Sequence, residues 1–108
     1  MIIERYEDIK KLVKVELLKM CISQKGDHFF VKPKQLARRA RLTTKPYMLT
    51  IIRYALEELS KEGLRLPNGE RIEINLWKGG NHGMRYLVSF PERIMRKEAI
   101  EGVKGLIL

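Results

Sequence analysis

Seven cations, Lys32, Lys34, Arg38, Arg39, Arg41, Lys45 and Arg53, fall between residues 28 and 56, a stretch that contains no Asp or Glu. Side chains of this kind neutralise anions. Arginine adds a planar fork of donors that matches a phosphate or the edge of a guanine. The stretch carries +7, while the other 79 residues together contribute only +2 to a net charge of +9. A stripe of one sign confined to one segment is the electrostatic footprint of a surface that meets a polyanion, nucleic acid above all. A solvated face that keeps the chain in solution is the plain alternative.

Other chemistries find little to work with. The chain has two Asp, two His and one Cys, spaced in ways that suggest no catalytic triad, no paired acid and base and no metal-ligand set. Gly79-Gly80-Asn81-His82-Gly83 follows a strand pattern but opens no helix, so it does not match a nucleotide-cradling loop. The expectation is a protein that is not an enzyme, with no cofactor, no metal and no small-molecule substrate. Cys21 is alone, which excludes an internal disulfide and points to a reducing, cytoplasmic setting. No apolar run approaches the length of about 18 residues that reads as a membrane span. Abundant Lys, Arg and Glu beside two Gln and three Asn would suit a thermophile.

The elements that must position the cations follow from periodicity. A chain of 108 residues with 44% hydrophobic content is the size of one domain with one core. Tyr6, Ile9, Val13, Leu17 and Met20 recur at three- and four-residue spacing and predict a helix over Glu4 to Ser23. A second apolar stripe, Val15, Leu18 and Ile22, lies on its far side and must be covered by the C-terminal tail or by a second copy. Phe29 to Val31 is a short strand candidate. Pro33 suits the first turn of a second helix over Pro33 to Ala40. A third helix of about 18 residues ends at Gly63, a residue type suited to a left-handed cap. Thr44 is the better N-cap by type, whereas Pro46 disfavours a helical Lys45 and can move the start by a residue. Pro67-Asn68-Gly69 marks a turn. Arg71 to Lys78, with Ile72, Ile74 and Leu76 on one side, and the alternating Tyr86, Val88 and Phe90 form a hairpin with a glycine-rich tip. Residues 92 to 101 look helical.

This order, helix, short strand, helix, turn, longer helix, hairpin, resembles the winged helix-turn-helix superfamily over roughly residues 5 to 90. The sharpest local match is Gln35-Leu36-Ala37-Arg38-Arg39-Ala40, followed by the long helix and Leu59-Ser60-Lys61-Glu62-Gly63-Leu64. Ala37 stands where such motifs need a small residue between crossing helices. Arg41 departs from the pattern, since many of these motifs have Gly in the turn, and the turn is about one residue longer. The resemblance implies an α+β fold, a winged helix domain over 1–91 with a tail over 92–108, and a double-stranded DNA partner.

The third helix can also be read on its own. Met48, Ile52, Ala55, Leu56 and Leu59 face one way and must pack, leaving Tyr47, Thr50, Tyr54 and Lys61 on the opposite side with Arg53 on its flank. A helix in a major groove reads bases mainly from its N-terminal half, so Thr44, Lys45, Tyr47, Thr50 and Arg53 are the candidate base contacts. Lys32, Lys34, Arg38, Arg39, Arg41 and Tyr54 are candidate phosphate contacts, which position without reading sequence. Lys78, Asn81, His82 and Arg85 are candidates in the wing. A homodimer through Val15, Leu18, Ile22, Val103 and Leu106 would set two third helices on successive turns of DNA, as expected of a small transcription regulator or architectural protein. The other reading is a winged helix that serves a replication or transcription assembly by binding protein or RNA.

Overall fold

The computed structural model describes residues 2–23, 26–66, 71–78 and 84–89, and the side chains of all of these except 2–5, 78 and 84. It is an α+β fold of three helices and a four-stranded antiparallel sheet. Helix α1 spans Ile2–Ser23, strand β1 His28–Val31, helix α2 Pro33–Arg39 and helix α3 Pro46–Glu62. Strands β2 (Leu64–Arg65), β3 (Arg71–Lys78) and β4 (Met84–Ser89) follow. The turn at 67–69, the hairpin tip at 79–83 and the tail at 92–108, including Val103 and Leu106, lie outside the described residues.

Helix α1 buries more than one face. Ile9, Val13, Leu17 and Met20 enter the core as the spacing predicts, and Val15 and Leu18 are also buried within the single chain. Ile22 is half-buried. The far stripe of α1 is therefore already covered at two of its three positions.

Helix α2 starts at Pro33, whose missing N–H would have had no partner in the first turn, after an extended Lys32. Its end is built from backbone alone. Leu42 N–H donates to Ala37 O at 2.8 Å and Arg41 N–H to Arg38 O at 3.2 Å, the paired bonds of a Schellman motif. That closure requires a left-handed residue, and Arg41 takes it at φ 58°. For a residue with a Cβ this conformation costs about 1–2 kcal/mol. Arg41→Gly should therefore raise stability by about 0.5–1 kcal/mol once the added freedom of glycine in the unfolded chain is subtracted. Denaturant unfolding of both proteins measures the difference, and an Arg41→Gly protein that is less stable would show that the arginine side chain contributes more than its backbone costs.

Helix α3 begins one residue later than residue type suggests. Lys45, extended at ψ 152°, is the N-cap, Pro46 takes the first helical position, and no side chain caps the helix. Of the two starts open to the sequence, at Thr44 or one residue on, the helix takes the second. The proline ring excludes a helical residue before it and is itself best placed in the first turn, and these two demands outweigh the hydroxyl of Thr44. At the other end Gly63 has the positive φ expected, 74°, but ψ is extended at 165°, a combination essentially confined to glycine. A Cβ there would also meet the Arg71 guanidinium at 2.7 Å, which donates from Nη2 to Glu62 O at 2.7 Å.

The sheet order is β1-β4-β3-β2, and β2 has no counterpart in the hydrophobic pattern because two residues cannot show an alternation. Phe29, Val31, Ile72, Ile74, Tyr86 and Val88 point to the buried face, and the helices cover it with Leu36, Ala37, Ile52, Leu56 and Leu59. Leu76 stands on the same side of β3 but is 40% exposed. The core stops between Ile74 and Leu76.

Two polar clamps tie the helices together. Lys10, nearly buried on α1, reaches Glu58 at 2.8 Å and Glu62 at 3.4 Å on α3, and the Tyr6 hydroxyl donates to Glu58 at 2.6 Å. Glu16, also nearly buried, accepts from Arg39 of α2 at 3.2 Å and lies 3.6 Å from Lys19. Buried charges persist only with partners of this kind. The hydrogen bond from Lys10, then that from Tyr6, holds the Glu58 carboxyl below its ordinary value. The Glu58 hydrogen bond raises Lys10, and burial followed by that same carboxylate raises Tyr6. The depressed carboxyl adds stability above the ordinary carboxylate range and loses it as pH falls through its folded value. The two raised groups add stability below their ordinary values and lose it as pH rises through their folded ones. Glu58→Gln should thus melt below wild type at about pH 7, and the gap should narrow as pH falls toward about 3. A gap that stays constant over that range would exclude Glu58 as its source.

Candidate nucleic-acid interface

The buried stripe of α3, Met48, Ile52, Ala55, Leu56 and Leu59, fixes which way the rest of the helix faces. On the outward side Tyr47 is 53% exposed and Tyr54 61% exposed, with Thr50 and Arg53 exposed between them. The Thr50 hydroxyl donates to Pro46 O at 2.9 Å, the back-bond of a threonine within a helix.

Beside this face runs a groove of about 400 Å³. Lys32, Pro33 and Lys34 line it from the start of α2, Pro46, Leu49, Thr50 and Arg53 from α3, and Tyr86 from β4. A second recess of about 260 Å³ continues along α3 past Thr50, Arg53, Tyr54 and Glu57. The structure thus brings Lys32, Lys34, Thr50, Arg53 and Tyr54 onto one continuous surface. The larger groove is mainly apolar with Lys32, Lys34 and Arg53 among its lining residues, a combination that suits the sugar and phosphate of a nucleic-acid backbone.

Tyr86 is the residue that sequence reasoning missed. Its alternation in β4 marks it as a core residue, which it is, at 1% exposed. Only the pairing of β4 between β1 and β3 shows that it also lines the groove. The Tyr86 hydroxyl is shut off from water with Arg53 as a neighbour but no well-formed hydrogen bond. Burial raises its pKa, and Arg53 offsets part of the rise.

The other expected cations are distributed differently. Arg38 and Arg41 are exposed at the far end of α2 from Lys32 and Lys34. Arg39 lies there too, but its guanidinium is engaged by Glu16. Thr44 and Lys45 are exposed at the head of α3, and the Lys45 N–H donates to the Thr43 hydroxyl at 3.4 Å. Arg85 belongs to another surface: it alternates with Tyr86 in β4 and stacks on the Phe30 ring on the opposite face of the sheet. Asn81 and His82 lie outside the described residues, as does the Lys78 side chain.

The acids of α3 matter as much as its cations. Glu58 and Glu62 are turned toward α1, where Lys10 pairs with both, so of the three acids of the helix only Glu57 lines the recess. Cys21 is buried, and burial pushes its thiol up to about 12. Among the described residues no three His, Cys, Asp or Glu side chains gather where they could hold a metal ion, and no helix is long and apolar enough to cross a membrane. Searches of protein-family models, curated proteins and solved structures find no match to this chain.

Proposed function

We propose that this chain is a winged helix-turn-helix protein that binds double-stranded DNA, with α3 in the major groove. One observation carries the reading: α3 turns Tyr47, Thr50, Arg53 and Tyr54 outward beside the groove of Lys32 and Lys34, while two of its carboxylates are held against α1 by Lys10. Thr44, Lys45, Tyr47, Thr50 and Arg53 then meet base edges, and an arginine there can make a paired contact to guanine. Lys32, Lys34, Arg38 and Arg41 meet phosphates, and the β3–β4 hairpin is the wing. Arg39 fastens α2 to α1 through Glu16 in this arrangement. The three helices and the sheet order are compatible with such a domain. A dimer through Val15 and Leu18 is not part of the proposal, because both are buried within one chain.

The test is selection of bound duplexes from a random pool. Wild type should enrich a short consensus, Arg53→Ala should lose preference at one or two positions, worth about 1–3 kcal/mol each, and Arg38→Ala should weaken all duplexes alike. No retention of any duplex at about 100 mM salt would replace this reading with a protein- or RNA-binding module.

A further inference from the structure

The face of the sheet turned away from the helices carries a second surface. Strand alternation places Phe30 of β1, Arg85 and Leu87 of β4, and Asn75 and Trp77 of β3 on it, with Phe30 opposite Leu87, Asn75 opposite Leu87 and Trp77 opposite Arg85. Phe30 is 38% and Trp77 45% exposed. Their rings meet edge to face, 5.8 Å between centroids at 68°. The Arg85 guanidinium carbon sits 4.2 Å from the Phe30 centroid, and Arg85 Nε is buried without a hydrogen-bond partner. Stacking on Phe30, with no ion pair to a described residue, is what holds this cation.

We infer that Trp77, Phe30 and Arg85 form a platform on which one or two unpaired bases of a single-stranded nucleic acid stack. The base faces of a duplex are already stacked on one another, so exposed rings select single strands. An arginine lying on one of the rings adds attraction for the strand's phosphates and a cation for its π faces. Asn75, exposed two residues before Trp77 on the same face, supplies a donor and an acceptor for a base edge. The cation stacked within this aromatic pair favours an anionic strand with π faces as its occupant. Glu73 is on the same face, farther along β3 and opposite Ser89, away from the stacked rings. The inference rests on a different face from the groove on α3 and stands or falls separately from duplex binding.

Trp77 is the only tryptophan of the chain, so its fluorescence reports on this surface directly. Titration of the whole protein with an oligo-dT of about 15 residues should quench it. Phe30→Ala should weaken that binding about tenfold, within the range measured for loss of one stacking ring, and Phe30→Tyr should restore it, which a loss of fold would not allow. Arg53→Ala, which removes one charge from the groove on α3, should weaken the strand far less than Phe30→Ala. Three results would overturn the inference: no quenching at saturating strand, binding indifferent to Phe30→Ala, or a loss on Arg53→Ala as large as that on Phe30→Ala. A concentration-dependent mass in sedimentation that Phe30→Ala abolishes would overturn it as well, and would assign the face to contact between copies.

Discussion

Raising salt from about 50 to about 200 mM should weaken duplex binding by roughly three decades if the proposed interface neutralises about six phosphates, because their counterions then return to the DNA. Six cations are placed to do this. Lys32, Lys34 and Arg53 line the groove, Lys45 stands at the head of α3, and Arg38 and Arg41 are exposed at the end of α2. Arg39 is the seventh by sequence, but Glu16 neutralises it in the folded protein. Each phosphate contact contributes nearly one unit to the slope of log affinity against log salt. Arg38→Ala should therefore lower the slope by about one unit and Arg39→Ala by much less. Fluorescence anisotropy of a labelled duplex at four or five salt concentrations gives all three slopes. A wild-type slope below about two would leave too few phosphate contacts for the surface described.

Ala37→Leu should cost about 1–3 kcal/mol or more and take duplex binding with it, although Ala37 touches no ligand. Ala37 is fully buried, and its carbonyl accepts the Leu42 N–H that closes the turn into α3. Three added carbons have nowhere to go without moving α2 or bending the turn, and overpacking of this kind costs that amount in well-packed cores. Against a total of about 5–15 kcal/mol this is a large share. Since α3 follows directly from the turn, the groove between α2 and α3 should open or close with it. The measurements are thermal unfolding, with a drop of about 10 °C for a loss near 2 kcal/mol, and duplex affinity well below the new melting temperature. Gln35→Leu, two residues before it on the same helix and exposed, is the control. If Ala37→Leu melts with wild type, the two helices do not cross closely there.

The helices and the hairpin were legible because each is a local pattern. Apolar residues at three- and four-residue spacing mark α1 and α3, period two marks β3 and β4, and Pro33 marks the start of α2 to the residue. Arg41 was legible as an oddity, and its positive φ gives the reason. The rest depends on pairs distant in sequence. Nothing near Arg39 says that Glu16 will claim it, and nothing near Glu58 says that Lys10 and Tyr6 will. Tyr86 reads as core from its strand; its place in the lining of a groove exists only once β4 is paired between β1 and β3. The cap at Lys45 is different in kind, since both signals were visible and the weight between Thr44 and Pro46 was the open point.

The clamp between Lys10 and the two carboxylates of α3 has a kinetic consequence. Glu58 and Glu62 sit in the last half of the helix, on its α1 side, while Lys45 and Arg53 sit in the first half and outward. One helix thus separates its own charges along its length, with Lys32 and Lys34 added at the positive end. A body built this way carries a dipole that turns it in the field of a polyanion before any contact is made, and such orientation raises productive encounters most at low ionic strength. Replacing Glu58 by a neutral residue would alter how often a first collision arrives facing the right way, even with every contacting side chain in place.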